Sequence, residues 1–182
     1  LYDGKEHRVE GFTTDTFTVN GVTYTVKGLT SRASGVDAGE YGVTLDGTPQ
    51  VFDAEDNDVT DQFIVNVHPG TLTITKRNVT LTSATDSKVY DGEPLTKAKV
   101  EVTGDGWADG EGATYTVTGS QTIVGSSDNT FTYELNAGTK AENYIITLKE
   151  GLLTVTNRPD DAKFEIDLVA RGDTVMYDGS EH

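Results

Sequence analysis

The chain has 182 residues, with 14 Lys and Arg against 30 Asp and Glu, a formal net charge of -16 and no cysteine. This negative charge repels phosphate backbones and anionic lipids, which excludes nucleic-acid binding and polybasic membrane binding. The lack of cysteine excludes disulfides, thiolate zinc sites and thiol nucleophiles, and no run of 18 apolar residues is present that could span a membrane.

Alternation of apolar and polar residues with period two recurs along the chain and predicts short β-strands. Thr, Val, Tyr and Phe fill these segments, and such side chains suit a half-buried sheet. In chain order the predicted strands cover 16–19, 22–26, 71–75, 79–82, 114–118, 131–135 and 153–156. Asn20-Gly21 lies between the first two and predicts a tight hairpin. The pattern as a whole predicts an all-β protein.

The tripeptide Tyr-Asp-Gly occurs three times and indicates an internal repeat. Its copies begin at Tyr2, Tyr90 and Tyr177, which are 88 and then 87 residues apart. Segment 63–74 aligns with segment 144–155, and we expect a closing hairpin in each. The chain therefore divides into three parts: 1–77, a module that lacks its first strand (module 1); 78–158, a complete module (module 2); and 159–182, a linker with the first strand of a third repeat (the C-terminal segment).

The motifs of module 2 resemble a known family. They are Lys88-Val89-Tyr90-Asp91-Gly92-Glu93-Pro94-Leu95-Thr96, the stretch 118–130, Asn143-Tyr144-Ile145-Ile146-Thr147 and Gly151-Leu152-Leu153-Thr154-Val155-Thr156. They are similar to the YDG/MBG-type tandem repeat domains of large adhesins from Gram-positive and gut bacteria. The resemblance implies an extracellular location on the bacterial cell surface or cell wall, usually between an export signal and a wall anchor. Neighbouring repeats of the same protein are the implied partners.

Two folds remain open within the all-β class. An immunoglobulin-like sandwich and a β-grasp-like open sheet both fit the periodicity, and the resemblance to mucus-binding repeats suggests the second. Modules 1 and 2 and the C-terminal segment carry net charges of -6, -5 and -5. Because evenly distributed like charge keeps tandem modules apart, we expect an elongated rod.

The position of the first strand relative to each Tyr-Asp-Gly motif suggests self-association. A strand precedes Tyr90, and segment 164–169 stands in the same place before Tyr177, whereas the chain begins at Leu1, just before Tyr2. The unpaired edge in module 1 is thus expected to recruit 164–169 of a neighbouring molecule by backbone pairing. A head-to-tail filament or a domain-swapped dimer would result.

The inventory of catalytic groups is small, and we predict that the protein is not an enzyme. His7 and His182 occupy equivalent repeat positions, which favours a structural or surface role, and His68 lies in a predicted turn. No nucleophile elbow, phosphate-binding glycine loop or zinc motif is present.

The acidic stretch 53–61 is the candidate metal site. Its carboxylates are Asp53, Glu55, Asp56, Asp58 and Asp61. Such an oxygen-rich loop suits weak Ca²⁺ binding, but the spacing, central Gly and final Glu of an EF-hand are missing, so a solvated acidic loop is favoured over a calcium site. We expect no other cofactor.

A second acidic patch, which runs from Asp105 to Glu111, contains the only tryptophan. Trp107, flanked by Asp105 and Asp109, is the candidate ligand-binding site, although packing in the core or under a loop is slightly favoured over a sugar platform. An intramolecular isopeptide bond also stays open, with Lys76, Lys88 or Lys97 and Asn78 or Asn143 as candidates.

The predicted function is a non-catalytic stalk or spacer of a surface adhesin, and the alternative is adhesion to host glycan or mucin.

Overall fold

The structure is a computed structural model that describes residues 1–181. It confirms the all-β prediction, because those residues form fourteen strands in several small sheets, an arrangement that fits a β-sandwich. The helical elements in this part of the chain are three 3₁₀ turns, at Thr60–Gln62, Ala141–Asn143 and Asp160–Ala162. His182 lies outside the described residues.

Module 1 is built around one long strand. Its strands are β1 (His7–Glu10), β2 (Thr16–Val19), β3 (Val22–Gly35), β4 (Gly39–Gly42), β5 (Thr44–Phe52) and β6 (Thr71–Ile74). The first half of β3 pairs with β2, its second half pairs with β1, and β5 pairs along its other edge, all antiparallel. Separately, β4 pairs with β6.

The predicted hairpin between β2 and β3 is confirmed. Asn20 and Gly21 both have positive φ, of 51° and 83°, as a two-residue hairpin turn requires. Another close approach lies in the middle of β3, where the pairing with β5 shifts register after Lys27. There a Cβ on Gly47 would lie 2.1 Å from the Gly28 carbonyl oxygen, so only glycine fits.

Module 2 contains β7 (Arg77–Ser83), β8 (Asp86–Val89), β9 (Val100–Gly104), β10 (Ala113–Val117), β11 (Gly125–Asn129), β12 (Phe131–Leu135), β13 (Tyr144–Lys149) and β14 (Gly151–Thr156). In one sheet β7 lies between β13, which is parallel to it, and β9, which is antiparallel. In another sheet β14 lies between β8, which is parallel to it, and β11, which is antiparallel. Strands β10 and β12 form an antiparallel pair.

The closing hairpin expected within 144–155 is wrong. Strands β13 and β14 pair with β7 and β8 instead of with each other. Only Glu150 separates them, and the chain passes there from one sheet to the next without reversing. Segment 63–67 of module 1 is not a strand, so the hairpin expected in 63–74 is wrong as well.

A buried polar cluster fixes the corner where β7 passes into β8. The Ser83 hydroxyl donates to the Asn129 carbonyl oxygen at 2.6 Å and accepts the Gly151 N–H at 2.9 Å. The Asn129 side chain donates to the Ala84 carbonyl oxygen at 2.8 Å. Gly151 has no room for a side chain, because a Cβ would lie 2.4 Å from the Ser83 carbonyl oxygen. These bonds satisfy backbone groups that the bend removes from the sheet.

Apolar side chains form two buried clusters. The larger one contains Tyr2 and Ile74 of module 1 together with Val79, Leu81, Ala108, Phe131 and Tyr144. It therefore crosses the boundary between the modules. The smaller cluster, at the far end of module 2, contains Leu95, Leu153 and Val155 with Tyr90 against it.

The C-terminal segment differs from the rest of the chain. Its predicted strand 164–169 is not formed, and no strand is assigned anywhere in 157–181. Ile166 is 82% exposed and Leu168 is 93% exposed. The segment thus exposes apolar side chains that an ordinary β-module would bury.

Candidate functional site

The Tyr-Asp-Gly motif forms the same turn in all three copies. In each copy an Asp Oδ1 accepts the backbone N–H two residues later and the Gly adopts positive φ, as an Asx turn favours. The donors are Lys5, Glu93 and Ser180, and the φ angles are 78° at Gly4, 90° at Gly92 and 83° at Gly179. The three copies thus share one local backbone conformation.

The Tyr2 side chain of module 1 packs into the core cluster that module 1 shares with module 2. It is 3% exposed, and its hydroxyl donates to Glu111 Oε1. The Tyr144 hydroxyl donates to Glu111 Oε2 at 2.6 Å, and the two tyrosine rings meet edge to face at 5.7 Å. One carboxylate thus holds a hydroxyl from each module. We call the contact of Tyr2, Arg77, Glu111 and Tyr144 the joint.

Burial and the neighbouring carboxylate both act on the tyrosine pKa values. Loss of solvent is the first cause and the hydrogen bond to Glu111 is the second, because each disfavours a phenolate. Together they raise the pKa of Tyr144 to about 12 and raise the pKa of Tyr2 as well. Both hydroxyls therefore remain protonated donors at neutral pH.

Arg77 ties the joint to the backbone. Its guanidinium donates to the Gly106 carbonyl oxygen at 2.8 Å, to the Tyr2 carbonyl oxygen at 3.1 Å and to the Asp105 carbonyl oxygen. The fixed fork of arginine suits several carbonyl acceptors at once. Arg77 therefore links the start of module 1 with a loop of module 2.

A second contact between the modules lies beside the joint. The fully buried Asn143 side chain accepts the Ala38 N–H at 2.7 Å and donates to Asp37 Oδ1 at 2.9 Å. Lys140 pairs with Asp37 Oδ2 at 2.6 Å. This ion pair, followed by the Asn143 hydrogen bond, lowers the pKa of the Asp37 carboxyl.

The predicted ligand-binding residues lie in the loop that receives Arg77. Trp107 is half-buried, donates from its indole N–H to the Tyr115 hydroxyl at 3.0 Å and packs edge-on against Tyr144 at 4.8 Å. Asp105 instead accepts the Asn78 N–H at 2.8 Å, and this hydrogen bond lowers its pKa. Asp109 is exposed. The indole N–H and the Asp105 carboxylate thus bond to different partners, Tyr115 and Asn78.

Three carboxylates of the predicted metal loop bond to other groups of the protein. Asp53 Oδ1 accepts the Asn57 N–H at 2.8 Å, Asp58 Oδ1 accepts the Thr60 N–H at 2.9 Å, and Asp56 pairs with Lys27 at 2.5 Å. Hydrogen bonds from Asn57 and Thr60 lower the pKa values of Asp53 and Asp58. Within residues 1–181 no three His, Cys, Asp or Glu side chains are close enough to hold a metal ion. A solvated loop stays the favoured prediction for this stretch, and weak Ca²⁺ binding stays its alternative.

Several of the candidate isopeptide residues have other partners. Lys88 pairs with Asp91 at 2.7 Å, Lys97 pairs with Asp86 at 3.0 Å, and Asn143 bonds to Asp37.

Comparison with known proteins identifies no relative, because no family model, curated protein or solved structure matches this chain. Nor does any helix in residues 1–181 have the length and apolar character needed to cross a membrane.

The joint is the best-defined site in the described residues. Sequence reasoning placed Glu111 only within an acidic patch, and the equivalent positions of Arg77 and Arg158 were the available signal for the joint.

Proposed function

We propose that modules 1 and 2 are structural stalk or spacer repeats of a bacterial cell-surface adhesin and have no catalytic role. One observation carries the proposal, which is that the end of each module makes the same contacts. The Tyr2 N–H donates to the Thr75 carbonyl oxygen at 2.8 Å, and Arg77 donates to the Tyr2 carbonyl oxygen at 3.1 Å. The matching bonds at the end of module 2 are Tyr90 N–H to Thr156 at 2.9 Å and Arg158 to Tyr90 at 3.0 Å.

A repeated end contact suits a spacer. The first copy of the contact already holds a following module, through Glu111 and the carbonyl groups bound by Arg77. The second copy presents Tyr90 and Arg158 in the same relation at the end of module 2. Each further module attached in this way would continue the chain in the same geometry, as in other tandem repeats.

The resemblance to YDG/MBG repeats supplies the cellular setting of the proposal, an extracellular surface or cell wall. The even distribution of negative charge supports an extended rod, because successive modules repel one another beyond the joint. Neighbouring repeats are then the main partners.

Adhesion to host glycan or mucin is the competing function. It would require Trp107 to offer its ring and nearby polar groups to a sugar. The indole N–H and the Asp105 carboxylate are instead bonded to Tyr115 and Asn78. These bonds favour a structural role for the loop.

Two measurements on the 182-residue chain test the proposal. Small-angle X-ray scattering should give the profile of an elongated rod, and a profile of two modules folded side by side would contradict it. Because Trp107 is the only tryptophan, its fluorescence reports directly on the loop. A broad panel of host glycans and mucin should leave it unchanged, whereas a saturable shift that is lost in Asp105→Asn and kept in Asp128→Asn would support adhesion.

A further inference from the structure

The joint lies at one end of a row of aromatic side chains. The Tyr2 ring meets the Tyr144 ring edge to face at 5.7 Å, and the Tyr144 ring meets the Trp107 ring edge to face at 4.8 Å. The indole N–H of Trp107 donates to the Tyr115 hydroxyl at 3.0 Å. Four side chains that can be oxidised, one from module 1 and three from module 2, are thus in contact one after another.

Two of these tyrosines are held close together at their hydroxyl ends. Tyr2 is 3% exposed and Tyr144 is 4% exposed, and both belong to the larger core cluster. Their hydroxyls donate to the two oxygens of one carboxylate, Glu111 Oε1 and Oε2. Because both oxygens belong to the same group, the two hydroxyls and the ring carbons beside them lie near each other.

Glu111 also supplies the base that oxidation of a phenol requires. Burial and the carboxylate raise the pKa of both hydroxyls, so neither tyrosine is a phenolate at neutral pH. A protonated phenol loses an electron readily when its proton can move at the same time to a hydrogen-bonded acceptor. Glu111 is such an acceptor and is half-buried, so the proton can pass on to water.

Trp107 connects this buried pair with the surface. Its side chain is half-buried, so an oxidant in solution reaches the indole ring more easily than the rings of Tyr2 and Tyr144. An electron that Trp107 loses can be replaced from Tyr144 across their ring contact without movement of the chain. The oxidation then rests at the joint, where Glu111 takes the proton.

We propose that Tyr2 and Tyr144 form a modification site, at which a one-electron oxidant that reacts at Trp107 joins the two tyrosines as dityrosine. The new bond links modules 1 and 2 covalently. The chain has no cysteine, so this link does not depend on thiols. The proposal goes beyond the spacer function and does not require it.

The reaction consists of two one-electron oxidations. The oxidant takes one electron for each phenol, and each hydroxyl proton leaves through Glu111 to water. The two phenoxyl radicals then form one bond between ring carbons ortho to their oxygens. The hydrogen on each of those carbons leaves as a proton while each oxygen regains one, which restores two phenols. The product has therefore lost two protons and two electrons and no other atom.

A second tyrosine pair defines the competing position. Tyr115 and Tyr133 lie opposite each other on β10 and β12, and Tyr115 is bonded to the same indole. Within residues 1–181, however, neither of these hydroxyls donates a hydrogen bond to a carboxylate. We therefore expect the link between Tyr2 and Tyr144 and not between Tyr115 and Tyr133.

The first test exposes the 182-residue chain to a photogenerated one-electron oxidant, ruthenium tris-bipyridine with persulfate. A dilute solution favours links within one chain, because links between chains require collisions. We expect a monomer that shows dityrosine fluorescence and whose mass is lower by two hydrogen atoms. Peptide mapping should join the peptide that contains Tyr2 to the peptide that contains Tyr144.

Side-chain variants separate the roles of the residues. Tyr144→Phe and Tyr2→Phe each keep a ring but remove a phenol, and each should abolish the mapped link, so the result does not depend on one variant. Trp107→Phe should slow the reaction several-fold and leave the position of the link unchanged. Tyr177→Phe, at a position 90% exposed, is the matched control and should react as the unaltered chain does.

Thermal unfolding gives an independent readout. A covalent link between residues 2 and 144 closes a long loop and restricts the unfolded chain. The oxidised chain should therefore melt at a higher temperature than the untreated chain, and oxidised Tyr144→Phe should show no such increase.

Four results would overturn the inference. They are the absence of dityrosine within single chains, a link that maps to Tyr115 and Tyr133, a link that Tyr144→Phe leaves in place, and a rate that Trp107→Phe leaves unchanged. None of them affects the scattering profile expected of a spacer, so the two proposals can fail separately.

Discussion

Modules 1 and 2 share a turn motif and an end contact but differ in their interiors. Module 2 contains a central first strand that places Val79 and Leu81 in full burial. The described residues of module 1 form no strand in that position, and Phe12 and Phe17 remain substantially exposed beside a groove. Two of its three buried apolar side chains, Tyr2 and Ile74, belong to the core cluster that it shares with module 2.

The comparison shows that the module boundary and the folding unit do not coincide. The strand that completes a module lies immediately after the joint with the preceding one, as β7 does after Thr75. The predictions that follow change either module 2, module 1 or the joint between them.

The largest effect should come from the buried first strand. Leu81→Ala removes a fully buried side chain and leaves a cavity, which should lower the free energy of unfolding by about 3 kcal/mol. Leu45→Ala in β5 is the control, and since Leu45 is substantially exposed, its loss should stay below about 1 kcal/mol. Urea unfolding measures both, and equal losses would show that β7 is not central to stability.

The next effect concerns the joint. Glu111→Gln replaces one of the two carboxylate acceptors by an amide donor, so one hydroxyl of Tyr2 or Tyr144 loses its acceptor. We expect a loss of about 1–2 kcal/mol and an earlier unfolding of module 1. The exposed Glu134→Gln serves as a control of the same chemistry and should change nothing measurable. A wild-type thermal profile for Glu111→Gln would contradict the role of the joint.

Alkaline pH should weaken the same contact. An unfolded chain releases its tyrosine protons near pH 10, whereas folding raises the pKa of Tyr144 to about 12. The unfolded state therefore binds fewer protons between pH 10 and pH 12, and stability falls as pH rises through that range.

Ultraviolet titration of phenolate formation should show a late phase that Tyr144→Phe reduces. The matched variant Tyr177→Phe, at a position 90% exposed, should leave that phase intact. A titration without a late phase would contradict the burial of these hydroxyls at the joint.

The smallest effect should come from calcium. The acidic loop exists only in module 1, and Asp53, Asp56 and Asp58 already accept bonds from Asn57, Lys27 and Thr60. We expect millimolar Ca²⁺ to shift the melting temperature no more than NaCl of equal ionic strength. A larger shift that Asp53→Asn removes and Asp15→Asn keeps would establish a calcium site.

Much of the fold was predictable from local pattern. Period-two alternation located β2, β6, β7 and β12, because side chains on a strand alternate between faces, and Asn20-Gly21 located a hairpin through its need for positive φ. The Tyr-Asp-Gly spacing located the turns at the module ends.

The partners of the strands were not predictable in the same way. Alternation gives the face of a strand but not its neighbour, so the parallel pairing of β13 and β14 with β7 and β8 was missed. Glu111 has the composition of a solvated acidic loop, and only the approach of Tyr2 from more than a hundred residues away gives it a role. Long-range contacts of this kind leave no local pattern.

The parallel pairing of the first and last strands has a mechanical consequence. Tension enters module 2 through the first residue of β7, Arg77, and leaves through the last residue of β14, Thr156, so a pull acts along β7 and β14 in opposite directions. Parallel ladders loaded in this way resist in shear, with the hydrogen bonds bearing load together rather than opening one by one from an end. Module 2 is thus arranged to resist stretching.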